Sequence, residues 1–339
     1  MGIEKKQIKN ILIRGASWIG DSVVSMPVIK ALRENFPSAY IALSVKSSVK
    51  EIWDDFPYVD LVVSDEEKEK LRSKKYDLGI VLPHSFSAAF NMKKLGVKRL
   101  AGYPTELRGI FLSHKVPRPA EFRRKHLLEE YLDILRHLGL KAVNIKPFLH
   151  IPPRYETRIK ELLRIKKIES KDLLVGICPG AAYGPAKVWP AKNYAKVVKL
   201  LVREYGAKAA VFGGSHEKEI VKSLLKEVKF NDIMFTSGSL SVLESAALMK
   251  RCNLFISNDT GPMHMAAALN LPLIAIFGST DPGWTGPLGK NSKVIYRGLT
   301  CSPCFDRTCG RKKNKYECLT DISPEEVFKL SEVLLKRKN

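Results

Sequence analysis

Short apolar runs alternate with amphipathic stretches along almost the whole chain, a rhythm that marks βαβ units and a parallel sheet. In the first half the runs expected as strands are Ile11 to Ile13, Tyr40 to Val45, Leu61 to Val63, Leu78 to Leu82 and Lys98 to Ala101. Helical periodicity predicts helices from about Val23 to Asn35 and from about His126 to Leu138. Proline fits a helix only in its first turn, so Pro27 moves the first helix start to as late as Ser25. A basic, proline-containing segment runs from Tyr103 to Arg124. Lys146 to Pro153 holds three prolines and no clear period, which suggests a linker or an exit strand. A second series then begins. Its strands are expected at Leu173 to Ile177, Ala209 to Phe212, Leu254 to Ser257 and Leu273 to Phe277. Its helices are expected near Lys192 to Tyr205, Glu217 to Glu227, Ser241 to Lys250 and Met263 to Leu269, with a last one from Pro324 to Lys336.

A chain of 339 residues is long for a single core, and two Rossmann-like halves are the economical solution. The expected division is 1–165, 166–320 and a C-terminal helix in 321–339. No apolar run approaches the roughly 20 residues of a spanning helix. No apolar stretch follows the charged N-terminus before the first strand, so no signal peptide is expected and the cytoplasm is the expected compartment. The charge is +22, from 57 Lys and Arg against 35 Asp and Glu. Such an excess attracts nucleic acid, an anionic membrane or a phosphorylated substrate. It also suits a Lys-rich thermophile surface, which the single glutamine, Gln7, supports. Against nucleic acid, there is no RNP-like or helix-turn-helix motif, and the basic residues are dispersed.

Ligands of open parallel sheets bind beyond the carboxyl ends of the strands, so the loops after strands carry the candidate chemistry. The first such loop runs Gly15-Ala-Ser-Trp-Ile-Gly20-Asp21-Ser22. Its spacing matches a phosphate loop, but Asp21 stands where the lysine belongs, and a carboxylate repels phosphate. Asp21 is either a helix-start acid favoured by the dipole or a general base at an interdomain cleft. In the second half, Cys178 to Pro190 is a loop of small residues that carries Lys187, a cation available to an anion. Phe212-Gly-Gly-Ser215-His-Glu217 ends one strand, and Glu217 either accepts from ribose hydroxyls or is a first-turn acid. Ser257-Asn-Asp259-Thr260-Gly261-Pro262-Met-His264 opens a helix whose start suits an anion. Thr260 and the amides around Gly261 suit a phosphate, and Asp259 suits sugar hydroxyls; a pure capping role for Asp259 or Thr260 is the alternative. His264 is either a core histidine or a ligand contact. The chain has no Asp-x-Asp pair to hold a divalent ion, and Lys187 with a helix start can stabilise a leaving diphosphate without metal.

These residues resemble glycosyltransferase family 9, the ADP-heptose:lipopolysaccharide heptosyltransferases. The segments that carry the resemblance are GASWIGDSVVSMPVIKALRENFP, CPGAAYGPAKVWP, FGGSHEKE, SNDTGPMHMAAAL and IFGSTDPGWTGP, in the family's order. The tail CSPCFDRTCG is similar to that of the branch adding the second heptose. The resemblance implies an α/β GT-B fold of two facing Rossmann-like domains, the last helix crossing back to the first. It implies inverting, metal-independent transfer of heptose from ADP-heptose to the lipopolysaccharide inner core, with no cofactor. Asp21 then matches the base, Lys187 the diphosphate-binding lysine, and Asp259, Thr260, Gly261 and His264 the donor-binding motif. Glu217 or Ser215 matches the ribose contact. The acceptor is anionic and membrane-held, so peripheral contact with the inner membrane is expected, with Lys46, Lys50, Arg99, Arg108, Arg123 and Arg124 as candidate acceptor cations. The alternatives are a GT-B enzyme for another nucleotide sugar or acceptor, or a basic nucleic-acid-binding protein.

Four of six cysteines, Cys301, Cys304, Cys309 and Cys318, fall within 18 residues. One CxxC pair without a second leaves structural zinc, disulfides and free thiols all open.

Overall fold

The computed structural model describes residues 3–118, 125–142, 146–214, 217–228, 233–235 and 238–336. The chain divides into two compact units, Met1–His150 and Ile151–Asn339. In the first unit, β1 (Asn10–Arg14), β2 (Tyr40–Val45), β3 (Leu61–Ser64), β4 (Leu78–Val81), β5 (Arg99–Gly102) and β6 (His114–Lys115) form one parallel sheet. Its strand order is β3-β2-β1-β4-β5-β6. Among the described residues three α-helices accompany it: α1 (Ile19–Asn35), α2 (Phe86–Lys94) and α3 (Leu127–His137). β1 is buried through Ile11, Leu12 and Ile13, as a central strand covered on both faces must be.

The second unit repeats the plan. α4 (Pro153–Ile165) leads into β7 (Leu174–Cys178), and then come α5 (Ala191–Tyr205), β8 (Lys208–Val211), α6 (Lys218–Lys226) and β9 (Ile233–Phe235). α7 (Val242–Arg251), β10 (Leu254–Asn258), α8 (Gly261–Ala268), β11 (Leu273–Ile276), the single turn α9 (Pro282–Thr285) and β12 (Ser292–Ile295) follow. A second short turn, α10 (Glu317–Thr320), precedes α11 (Pro324–Lys336). The sheet order is β12-β11-β10-β7-β8-β9, again all parallel. In both sheets the first strand sits beside the fourth, so each has a switch point where successive connections turn in opposite directions and a crevice opens.

Two expectations are corrected. Helix α1 starts at Ile19, not near Val23 or Ser25, and carries Pro27 in its interior. Residues Val23 to Ile29 are all buried, so tertiary packing holds the helix through a residue that cannot bond back to Val23. The division between units falls at His150 rather than 165, because α4 packs on α7. α4 buries Ile159 and Leu163, and Arg158–Glu244 at 2.7 Å and Lys250–Glu156 at 2.6 Å tie the two helices. Helix α11 packs on α5, β10 and β11, with Val327 and Leu334 in the second core.

Candidate active site at two switch points

In the second unit, the loops after β7 and β10 flank the switch point, and one buried side chain joins them. Asn258, at the end of β10, is fully buried. Its Oδ1 accepts from the Trp189 backbone N–H at 3.1 Å and from the Tyr194 hydroxyl at 2.8 Å. Its Nδ2 donates to the carbonyls of Pro179 at 2.8 Å and Gly180 at 3.2 Å. The amide thereby fixes both ends of the loop that carries Lys187.

Lys187 and Asp259 meet in this crevice. Lys187 Nζ lies 2.5 Å from Asp259 Oδ2, and the same oxygen accepts from Thr280 Oγ1 at 2.6 Å. The side chains of Lys187 and Asp259 are only 12% and 4% exposed, so the pair sits where water screens it little. The Lys187 ammonium also stands 4.8 Å from the centroid of the Tyr183 ring, a cation–π contact that Arg307 makes from 5.4 Å. Asp259 follows β10 and Thr280 follows β11, so neighbouring strands deliver the two groups that hold the lysine.

Thr260 is the residue before α8, and its hydroxyl lies 3.3 Å from Ser257 Oγ. Gly261 and Pro262 open the helix, and His264 in its first turn is buried. The thiol of Cys178 is buried beside Thr260 and pushed up to about 12, mainly by that burial and then by the Glu217 charge. Glu217 precedes α6 and accepts from the Gly214 N–H at 2.7 Å. A Cβ on Gly180 would come within 2.0 Å of the Glu217 carboxylate, so glycine there lets the Glu217 side chain lie against this loop. Ser215 lies outside the described residues.

Asp21 belongs to the first unit's switch point, in the first turn of α1 directly after β1. The residue preceding that helix is Trp18, so Asp21 is not its N-cap, and the helix start favours its negative charge. Its charge reaches the buried Tyr131 hydroxyl of α3, whose ionisation is pushed well up by burial first and by Asp21 second. Gly15 is required here, because a Cβ would meet Val45 Cγ1 at 2.9 Å and Leu43 Cδ1 at 3.0 Å.

The proposed acceptor cations separate. Arg108 is fully buried, and donates from Nε to the Tyr103 carbonyl at 2.6 Å and from Nη1 to the carbonyl of Pro83. Fully buried and tied to two carbonyls, it is a structural anchor and not a surface cation, and burial lowers its guanidinium to about 10. Arg99 begins β5, on the sheet edge opposite the loop of Asp21, and donates to Gln7 Oε1 at 3.0 Å. Lys50 pairs with Glu67 at 2.5 Å, and Lys46 is exposed after β2. Arg123 and Arg124 lie outside the described residues.

None of the six cysteines is joined in a disulfide in the structure. Among the described residues, no three His, Cys, Asp or Glu side chains are grouped as ligands of one metal ion. The cysteine segment instead buttresses the Lys187 loop. The Ala186 N–H donates to the Arg307 carbonyl at 3.0 Å, and the Tyr183 hydroxyl donates to the carbonyl of Phe305. Sequence reasoning missed this buttress, and it missed Asn258 and Thr280 as partners. Both polar residues stand inside the quoted motifs, so a buried polar side chain at a strand end was the available signal.

Two sheets of order 3-2-1-4-5-6, each with candidate groups at its switch point, are the architecture that the GT-B class of glycosyltransferases shares. The chain belongs to glycosyltransferase family 9 (heptosyltransferase), whose sequence profile matches residues 66–315. It is 28% identical to lipooligosaccharide heptosyltransferase 2 of Haemophilus influenzae, over 96% of this chain and all of the relative. It is 27% identical to lipopolysaccharide heptosyltransferase 2 of Escherichia coli, over 96% of this chain and 98% of that one. The solved structure of E. coli ADP-heptose lps heptosyltransferase II superimposes with a TM-score of 0.83 at 26% identity, covering 98% of this chain and 99% of that chain.

Proposed function

We propose that the protein transfers heptose from ADP-heptose to the lipopolysaccharide inner core, adding the second heptose to heptosyl-Kdo2-lipid A with inversion at the anomeric carbon. The observation that carries this reading is the buried Lys187–Asp259–Thr280 constellation at the second switch point of a family 9 chain. A buried cation beside a helix start favours a diphosphate, and it favours one most as negative charge develops on the leaving group. Asp259 and Thr280 hold the ammonium in place before the donor arrives. On binding, Lys187 shares its protons with the diphosphate while Thr280 keeps Asp259 fixed.

The acceptor hydroxyl oxygen bonds to the anomeric carbon as the bond from that carbon to the diphosphate oxygen breaks. ADP leaves with the electron pair, and the Asp21 carboxylate takes the hydroxyl proton. Glu217 serves the ribose, and Thr260, Gly261 and His264 border the donor. No metal ion is needed for the charge stabilisation, because Lys187 and the start of α8 supply it. The acceptor is anionic and lipid-held, which places the enzyme at the cytoplasmic face of the inner membrane. Among the described residues no helix is long and apolar enough to cross a membrane, so contact there is peripheral in this reading.

Nucleotide binding followed by melting temperature tests the donor. ADP and ADP-heptose should raise the Tm, and UDP should not. Preference for UDP would point to another nucleotide sugar. Asp21→Asn should keep the ADP-induced shift and lose turnover by about 100-fold or more, the usual weight of a general base. Normal turnover in that variant would remove Asp21 from the chemistry.

A further inference from the structure

Leu107 and Ile110 are 85% and 77% exposed, unusual for large aliphatic side chains on a folded surface. Leu107 precedes the turn at residues 108–111 and Ile110 lies within it, and the turn packs on α2. Phe111 of that turn meets Phe86 edge-on at 5.1 Å and Phe90 at a tilt at 5.6 Å, and both α2 rings are themselves exposed. Four exposed apolar side chains thus sit on this turn and the α2 helix it packs on, beside a three-ring cluster, more than the scattered single residues of an ordinary surface.

The tip is held rigidly. The buried Arg108 ties it to the carbonyls of Tyr103 and Pro83, and Glu106 accepts from the Phe86 N–H at 3.3 Å. Glu106 and Leu107 both adopt left-handed backbone conformations, with φ of 48° and 61°. Each costs about 1 kcal/mol or more in a residue other than glycine. Glycine at 107 would avoid that cost and expose nothing apolar. A leucine kept there, strained and in water, points to a partner that takes it up. The exposed charges nearby are basic: Lys93, Lys94, Lys115 and Arg118, against one acid in residues 84–118, Glu106. Lys93 and Lys94 stand one turn beyond Phe90 on α2, exposed, with Lys94 Nζ 5.3 Å from the Phe90 centroid. Lys115 and Arg118 are exposed further along the chain.

We infer that Phe86, Phe90, Leu107 and Ile110 insert into the headgroup boundary of an anionic phospholipid bilayer, with Lys93 and Lys94 on lipid phosphates. Apolar anchors ringed by lysines are what such a surface binds, and each component alone gives only marginal adhesion. A second copy of the chain fits less well, because its own lysines would meet these. The inference rests on the membrane-held acceptor of the proposed function and names the surface that approaches it.

The full chain is sedimented with vesicles of phosphatidylcholine alone and of phosphatidylcholine mixed with phosphatidylglycerol, and ADP binding is measured on the same preparations. The mixed vesicles should bind the protein, salt should weaken the binding, and the neutral vesicles should bind it poorly. Leu107→Gly should lower vesicle affinity by about tenfold or more, while its Tm stays level or rises because the strain is gone. Lys93→Glu with Lys94→Glu should also lower it, and Lys290→Glu on the other unit should leave it unchanged. Wild-type vesicle binding by Leu107→Gly would overturn the inference, as would a dimer that this substitution dissociates. Loss of vesicle binding with ADP binding intact in the wild type would sink the docking surface alone. Vesicle binding without any ADP binding would sink the proposed function alone.

Discussion

Lys187 and Asp259 are coupled tightly enough that neither can be changed without a consequence for the other. Removing the cation with Lys187→Met leaves a carboxylate that is 4% exposed facing no ammonium. Unfolding free energy in urea should fall by about 3 kcal/mol, the usual cost of breaking a buried pair from one side. Adding Asp259→Asn should return most of that stability. Donor affinity should stay about 10- to 100-fold low in both variants, because the charge-assisted bond to the diphosphate is gone. If the double variant recovered ADP binding, the lysine would have only a structural role. Asn258→Ala should cost about 2–4 kcal/mol, since it strands the Tyr194 hydroxyl, the Trp189 N–H and two carbonyls in a buried place. The thiols divide by environment. Burial holds Cys178 at about 12, whereas N–H groups of Tyr316 and Arg311 stabilise the Cys309 thiolate and draw its ionisation down. Iodoacetamide at pH 8 should therefore alkylate Cys309 well before Cys178, as peptide mass mapping would report. Of these residues, Lys187 and Asp259 were legible in the sequence as separate candidates. Their ion pair and its anchoring by Thr280 were not, because the partners lie 72 and 21 residues apart and nothing local signals the contact.

Among the elements, the long central strands were the most legible, since runs such as Tyr40–Val45 are apolar and bounded by turn residues. The edge strands β6, β9 and β12 escaped notice. β6 has two residues, and β12 reads Ser-Lys-Val-Ile with little apolar content. Helix α2 was missed because its apolar residues serve two purposes: Ala88, Ala89 and Met92 face the core while Phe86 and Phe90 face outward. Helix α4 was hidden by Pro152 and Pro153, which read as a linker but stand at a helix start. Pro27 misled in the opposite direction, because packing overrides what proline costs a bare helix. The central strand β7 offers a direct check on packing. A Cβ on Gly176 would lie 2.3 Å from the Phe255 ring of β10, a ring that is itself fully buried. Gly176→Ala should lower stability by about 1–3 kcal/mol through overpacking, with equilibrium urea unfolding as the measurement. A neutral result would show that β7 and β10 can separate without cost.

At the scale of the molecule, the two-unit organisation followed from length and from the repeated alternation of strands and helices. The position of the boundary did not, because α4 joins the second unit through ion pairs with α7 that local sequence does not announce. The charge of +22 was legible as an attraction for anions, but its distribution was not. Arg108, a candidate for the acceptor, is spent internally, whereas Lys93 and Lys94 lie beside an apolar patch. Family membership joins these levels: the candidate groups gather at the switch points of two like sheets. The most direct test is heptosyl transfer by the purified full chain, followed by mass spectrometry with ADP-heptose and heptosyl-Kdo2-lipid A as substrates. The account predicts a product heavier by one heptose, formed by the wild type and reduced by about 100-fold or more in Asp21→Asn. Absence of that product from a folded, ADP-binding wild type, or its formation at an undiminished rate by Asp21→Asn, would contradict it.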